Sequence, residues 1–190
     1  MAIKPTTEFK QGSHCSYCGV KFLDQNTWPR KCFICWNESY KNPIPVVVSM
    51  IPVKFGNPFK TGLLIQQRNI EPEKGNFGLS GGHINYGETW QEAIVRENEE
   101  EMHFYSCVDD YKLWEIKTSS NGHMVIFCTY RKVFKDQVEQ FIERFIPNEE
   151  VQALGIYHKE DWACPRLPLS YQEECADLFL SEIRDDIHFW

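Results

Sequence analysis

Hydrophobic periodicity divides the chain in two. Residues 1–42 are polar and show little of it, whereas from Pro43 onward apolar positions recur with the periods of strands and helices. Val46–Phe55 (VVVSMIPVKF) and Gly62–Arg68 (GLLIQQR) are β-rich runs with turn residues between them, and they read as strands. NFGLSGGHI is short and broken by glycine, as a strand leaving into a tight loop would be. A helix is expected from roughly Trp90 to Met102. Thr89 is placed to cap it, Glu92 three residues later completes a capping box, and Ala93 and Ile94 face a core. KLWEIKT and HMVIFCTYRKV read as strands joined by SSNG. Asp136–Ile146 carries Val138, Phe141, Ile142 and Phe145 at helical spacing, which fits a short helix or an ordered excursion. VQALGIYH reads as another strand, and Ser170 to about Ile187 as a helix whose Cys175, Leu178, Phe179 and Ile183 share a face. Strands, helix, strands and helix in that order predict an α/β protein with a mixed sheet between helices.

Composition adds limits. The 190 residues are 42% hydrophobic and 14% aromatic, enough for one core with a small appendage, and divide into 1–42 and 43–190. A net charge of -7 argues against a zinc-ribbon protein that coats nucleic acid, which needs a basic surface. A small anionic ligand stays compatible, because a bound metal ion inverts the local field. The first residues have no apolar h-region, and the longest mostly apolar run, Pro43 to Val53, is too short to span a bilayer. The expectation is a cytoplasmic protein without a membrane partner.

Four cysteines occur as two close pairs, Cys15-x2-Cys18 and Cys32-x2-Cys35, with thirteen residues between them. In a reducing compartment such pairs fit one tetrahedral Zn²⁺ with all positions filled by thiolate, a structural site that would hold a segment too polar to fold on a core. His14 is a neighbour of this set, and Cys128, in an apolar strand, reads as a small buried hydrophobe. Trp28, Arg30 and Lys31 lie between the pairs. They offer a stacking ring and cations, or simply a packed aromatic and solvated charge.

The chemistry concentrates in GGHINYGETWQEAIVRENEEEMHF, Gly81 to Phe104, which holds six carboxylates and one fixed cation, Arg96. On a helix over 90–102, Glu97, Glu100 and Glu101 stand at i, i+3 and i+4 and share a face, a hard-oxygen set suited to Mg²⁺ or Mn²⁺. Glu99 points elsewhere, into solvent. Gly81 and Gly82 permit a close backbone approach or positive φ, and Arg96 is placed to neutralise one carboxylate, Glu88 on the loop.

This stretch resembles the Nudix box, G-x5-E-x7-R-E-U-x-E-E-x-G-U, where U is a bulky aliphatic residue. Gly82 takes the first position, Glu88 the next, then Arg96-Glu97, and Glu100-Glu101 match the second acidic pair. Asn98 replaces the aliphatic residue that normally packs inward. His103 replaces the glycine that ends the helix, where φ > 0 is often required and histidine is among the more tolerant residues. Phe104 fills the last position. The likeness covers Pro43 to Trp190. The four-cysteine segment is similar to the layout of the NADH pyrophosphatase branch, but that branch's S-Q-P-W-P-F-P-x-S segment is missing, and WACPRLPLS (Trp162–Ser170) shares only residue types with it.

The resemblance implies a Nudix-type α/β/α sandwich with a mixed sheet, preceded by a small zinc ribbon. It implies a Mg²⁺- or Mn²⁺-dependent pyrophosphohydrolase acting on a nucleoside diphosphate linked to another moiety, with ADP-ribose or a dinucleotide such as NADH foremost. Glu97, Glu100 and Glu101, with the Gly81 carbonyl, would hold metal, and Glu88 and Arg96 would support them. The general base stays open between a box glutamate and Glu149 or Glu150. His123 and His158 read as structural. Arg68 either meets a substrate phosphate or pairs with Glu71 or Glu73. The implied cofactors are structural Zn²⁺ and catalytic Mg²⁺ or Mn²⁺. The implied partner is a small nucleotide, with capped RNA the one nucleic acid in view and a homodimer left open. The competing reading is a non-catalytic nucleotide-binding module that uses the ribbon for a partner.

Overall fold

The computed structural model describes residues 12–158, 167 and 170–183, in two compact units, Met1–Pro43 and Ile44–Trp190. In the first unit, β1 (Arg30–Lys31) pairs antiparallel with β2 (Glu38–Ser39). Each cysteine pair sits in a tight turn closed by a backbone bond, Gly19 N–H to the Cys15 carbonyl and Trp36 N–H to the Cys32 carbonyl, both 3.0 Å. Arg30 is buried. Its guanidinium donates to the carbonyls of Thr27 at 2.8 Å, Gly12 at 2.5 Å and Gln25, and lies 4.0 Å from the Trp28 ring centre. Trp28 is therefore packed as the second reading has it and Lys31 is exposed, but Arg30 is not a solvated charge: it is buried in the ribbon's own interior.

In the second unit the expected strand Val46–Phe55 is two strands. β3 (Ile44–Met50) runs parallel to β8 (His123–Tyr130), whose other neighbour is the antiparallel β7 (Tyr111–Thr118). After Ile51 the chain changes sheet: β4 (Pro52–Phe55) pairs antiparallel with the start of β5 (Lys60–Arg68). The end of β5 pairs on that side with β6 (Phe77–Gly78), and β9 (Val151–Tyr157) covers its opposite edge. Ile51 contributes its carbonyl to Leu64 N–H at 3.0 Å, and proline at 52 has no N–H to continue a ladder. The expected SSNG turn joins β7 to β8, with Gly122 N–H bonded to the Ser119 carbonyl.

Helices cover both faces, completing an α/β/α sandwich. Along β3 and β8 the side chains alternate. Val47 and Cys128 face α1 (Trp90–Met102), packed with its Ala93 and Ile94, while Val48, Val125 and Phe127 face α3 (Ser170–Glu182). The short helix α2 (Val138–Glu143) closes the α1 side near β4, and Val138, Phe141, Ile142 and Phe145 pack together there as their spacing predicts. On α3, Cys175 and Phe179 are buried, but Leu178 is 48% exposed and Gln172 is buried in the interior instead. Gln172 turns inward because its Oε1 accepts the Leu79 N–H at 3.2 Å. Residues 184–187, expected to extend this helix, lie outside the described residues, as do Cys164 and most of Trp162–Ser170. Among the described residues no helix is long and apolar enough to cross a membrane.

Helix α1 carries the site, and its two ends are fixed locally. Thr89 Oγ1 accepts the Glu92 N–H at 3.2 Å, and Glu92 Oε2 accepts the Thr89 N–H at 2.8 Å. At the other end His103 adopts φ 56 and ψ 32, the left-handed conformation that the resemblance assigns to a glycine, and its N–H caps the Glu99 carbonyl at 3.0 Å. A side chain in that conformation costs on the order of 1 kcal/mol. His103→Gly is therefore expected to raise the chemical-denaturation midpoint by about that much free energy, and the β-branched His103→Val to lower it. A neutral glycine variant would contradict the strain at this cap.

Candidate active site

Residues after β6 run along the free edge of β3. The Ser80 and Gly82 carbonyls accept the N–H groups of Ser49 and Val47 at 2.8 and 2.9 Å, so the N–H of Gly81, between them, is turned toward α1. Both glycines are required by contact. A Cβ on Gly81, at φ 151, would lie 2.1 Å from the Val47 carbonyl oxygen. A Cβ on Gly82 would lie 2.4–2.6 Å from three atoms of the Glu97 carboxyl group. The glycine pair thus lets a helix-borne carboxylate rest directly on the backbone.

Arg96 organises the acidic residues. Its Nε and Nη2 grip Glu88 as a fork, at 2.8 and 3.0 Å, and Nη2 also donates to the His83 carbonyl at 3.0 Å. Its Nη1 donates to Glu97 Oε1 at 2.7 Å and Glu100 Oε2 at 3.1 Å. The loop and the helix are thereby tied at one point. Hydrogen bonding to Arg96 holds the Glu88 carboxyl below its ordinary range, and Arg96 is in turn pushed further up. Glu97 behaves oppositely. Burial raises its pKa against the lowering effect of Arg96, and the charges of Glu100 and Glu150 add to the rise. Glu101 is buried and lifted to about 7 by desolvation, although its Oε2 accepts from Gly81 N–H at 2.9 Å and lies 2.8 Å from Ser80 Oγ, and the Gln66 amide bonds to it.

Glu97 and Glu101 are buried, whereas Glu100 and Glu99 are exposed. Among the described residues the acidic side chains do not close into a ligand set; only the four cysteines bring three or more such atoms within 4.8 Å of one another. The reason is electrostatic: Arg96 draws Glu97 and Glu100 to itself, and Ser80 with Gly81 draws Glu101. The residues nevertheless fit a hard divalent cation. Three carboxylates share one guanidinium and a fourth, Glu101, has only neutral donors; Glu97 and Glu101 are desolvated, and Gln66 Oε1 is buried with no hydrogen-bond partner beside Glu101. A cavity of about 410 Å³ opens along α1 beside Arg96 and Glu100.

Sequence reasoning missed Gln66, Ser80 and Asn148. Asn148 Nδ2 donates to the carbonyls of Glu100 and Glu101, both at 3.1 Å, and its Oδ1 accepts the N–H groups of Glu150 and Val151. It thus caps the end of α1 and ties the loop carrying Glu149 and Glu150 to it. An Asx turn just before a strand was the available signal. Arg68 Nε donates to the Pro72 carbonyl at 2.9 Å and forms no ion pair with Glu71 or Glu73. His123 stacks edgewise on His83, and His158 bonds through Nδ1 to the Thr61 carbonyl.

In the ribbon, the Sγ atoms of Cys15, Cys18, Cys32 and Cys35 all lie within 4.8 Å of one another, with Cys15–Cys35 and Cys18–Cys32 each at 3.6 Å. Zinc with four thiolates at about 2.3 Å needs sulfur atoms roughly 3.8 Å apart. Backbone N–H groups of Tyr17 and Ile34 point at the sulfurs of Cys15 and Cys32, both 3.4 Å, as donors to thiolate would. Ribbon and donor set fit zinc. His14 bonds to Ser13 Oγ and is outside the set.

Residues 45–170 match the NUDIX domain. Among solved structures, the chain is similar to a NUDIX hydrolase from Nitrosomonas europaea at 19% identity, covering 90% of this chain and 91% of that one, with TM-score 0.57. It is similar to the NUDIX domain of Shewanella oneidensis NrtR complexed with ADP ribose, at 14% identity over 76% of this chain and 91% of the other, with TM-score 0.59. A C. elegans Ap4A hydrolase in a binary complex aligns at 16% identity over 73% of this chain and 99% of that one, with TM-score 0.51. At such identities the likeness is one of fold, while the domain match spans well over half the chain. By that domain match the chain belongs to the NUDIX domain family, a family that generally depends on divalent metal, and it has the fold of the Nudix hydrolases.

Proposed function

We propose that the protein hydrolyses the diphosphate bond of a nucleoside diphosphate linked to another moiety, with ADP-ribose or a dinucleotide foremost. The observation that carries this reading is the excess of buried carboxylate on α1, resting on Gly81 and Gly82 against a single guanidinium. The neighbour bound to ADP ribose and the neighbour named as an Ap4A hydrolase both support this substrate class. Glu97, Glu100 and Glu101, with the Gly81 carbonyl, are the residues to hold Mg²⁺ or Mn²⁺. When bound, such a cation neutralises the diphosphate and acidifies a water.

The chain's own residues do the rest. Arg96 and Glu88 hold helix and loop in register, so that Glu97 stays pressed on Gly82. Glu150 is the favoured general base: its charge already acts on Glu97, and Asn148 fixes its backbone. The four cysteines hold zinc as a structural ion, and they leave no open position for chemistry.

The test is product analysis by chromatography, with Mg²⁺ or Mn²⁺ and a panel of ADP-ribose, NADH, FAD, diadenosine polyphosphates, nucleotide sugars and dNTPs. Metal-dependent release of a nucleoside monophosphate is expected, and Glu100→Gln should lower it by about a hundredfold or more. No turnover on any member would leave the nucleotide-binding module as the reading.

Glu101 gives a pH prediction. Burial raises its carboxyl from 4.5 to about 7, so its stabilising contribution is complete below 4.5 and is lost as pH rises through 7. Glu101→Gln does not titrate. In buffer without divalent cations, the variant should therefore gain stability relative to wild type from about pH 5 to about pH 8, by up to a few kcal/mol. Parallel unfolding curves across that range would contradict a desolvated carboxyl.

A further inference from the structure

Asn98 is fully buried at a box position that the resemblance gives to an aliphatic residue. It does not stand alone. Its Nδ2 donates to Ser49 Oγ at 3.1 Å and Tyr111 Oη at 2.7 Å, and Tyr111 Oη is 2.9 Å from Ser106 Oγ. Its Oδ1 and Glu101 Oε2 each lie 2.8 Å from Ser80 Oγ, whose one hydrogen serves a single one of these oxygens at a time. Ser49 and Ser80 are each 1% exposed and Tyr111 2%. The network joins β3, the segment after β6, α1 and β7 behind the acidic face.

Helix packing does not require it. Ala93, Ile94 and Met102 already supply the apolar contacts of α1. A satisfied buried amide adds little net stability over an aliphatic side chain of similar size. What the network adds is a fixed position. Ser80 Oγ is held from behind by Asn98, which is itself held by two hydroxyls. Ser80 Oγ and Gly81 N–H then converge on one oxygen of Glu101, which fixes where that oxygen sits.

We propose that Asn98 is a positioning residue for Glu101, acting through Ser80, and that it sets how tightly the site holds its divalent cation. The proposal rests on Glu101 being a cation ligand. Groups that orient metal ligands in this way typically change affinity by ten- to a hundredfold when removed.

The experiment uses the full chain and titrates Mn²⁺, with the free ion read by electron paramagnetic resonance and thermal unfolding measured beside it. Asn98→Leu and Ser80→Ala are each expected to weaken Mn²⁺ binding by about ten- to a hundredfold. The double variant should bind no more weakly than either one, and neither change should add to the loss in Glu101→Gln. Tyr111→Phe removes one of the two hydroxyls that hold Asn98 but leaves Ser49 and every atom of the Asn98–Ser80–Glu101 path, so it should lower the melting temperature and weaken Mn²⁺ binding clearly less than Ser80→Ala does. If Asn98→Leu does not fold, Ser80→Ala decides. Wild-type Mn²⁺ affinity in Ser80→Ala, with affinity lost in Glu101→Gln, would overturn the positioning role and leave Glu101 as a ligand. Equal weakening in all variants including Tyr111→Phe would also overturn it, as a mere consequence of destabilisation. Unchanged affinity in Glu101→Gln would overturn the ligand reading and this proposal together.

Discussion

Arg96 is the one fixed cation among six carboxylates between Gly81 and Phe104, and the geometry of the site follows from how its guanidinium is shared. Two of its nitrogens are committed to Glu88 and fasten the loop to the helix. The third reaches Glu97 and Glu100 together, so neither of them is fully neutralised. Glu101 is left to neutral donors alone. Carboxylates that close would otherwise repel the helix from its own loop. The unbalanced remainder is what the proposed cation would offset, and the raised pKa values of Glu97 and Glu101 are its signature.

The fold serves this arrangement by bringing backbone to side chain. The free edge of β3 aligns Ser80 to Gly82. The glycines remove the two Cβ atoms that would push the helix away. Asn148 ties the opposite loop to the last carbonyls of α1, placing Glu150 where its charge is felt at Glu97. The site is therefore built from three separated stretches of chain, and only one of them is the acidic motif.

That division also explains what the sequence reveals. Helix α1 was legible because its start is encoded locally, by the Thr89–Glu92 capping box; its end was less so, since His103 stands where a glycine is expected and only the structure shows it taking the left-handed conformation. The Glu88–Arg96 pair was legible because opposite charges facing each other across a tight loop leave few alternatives. The break between β3 and β4 was not, since apolarity marks burial and not the hydrogen-bond partner, and both strands are buried. Leu178 was misplaced for a related reason: helical spacing could not foresee that Gln172 would turn inward to satisfy the Leu79 N–H. Gln66 and Asn148 are neutral polar residues distant from the motif, and Ser80 adjoins it but carries no charge. Their roles arise only once the sheet has folded, and no local pattern announces them.

The central claim is that the unbalanced carboxylates on α1 hold a divalent cation against the Gly81–Gly82 backbone. Anomalous scattering from a crystal soaked in Mn²⁺ tests it most directly. The account predicts a manganese peak at about 2.1–2.2 Å from oxygens of Glu97 and Glu101 or the Gly81 carbonyl, with Arg96 still gripping Glu88. A soaked crystal that diffracts well and shows no manganese on these residues, or shows it only elsewhere on the surface, would contradict it.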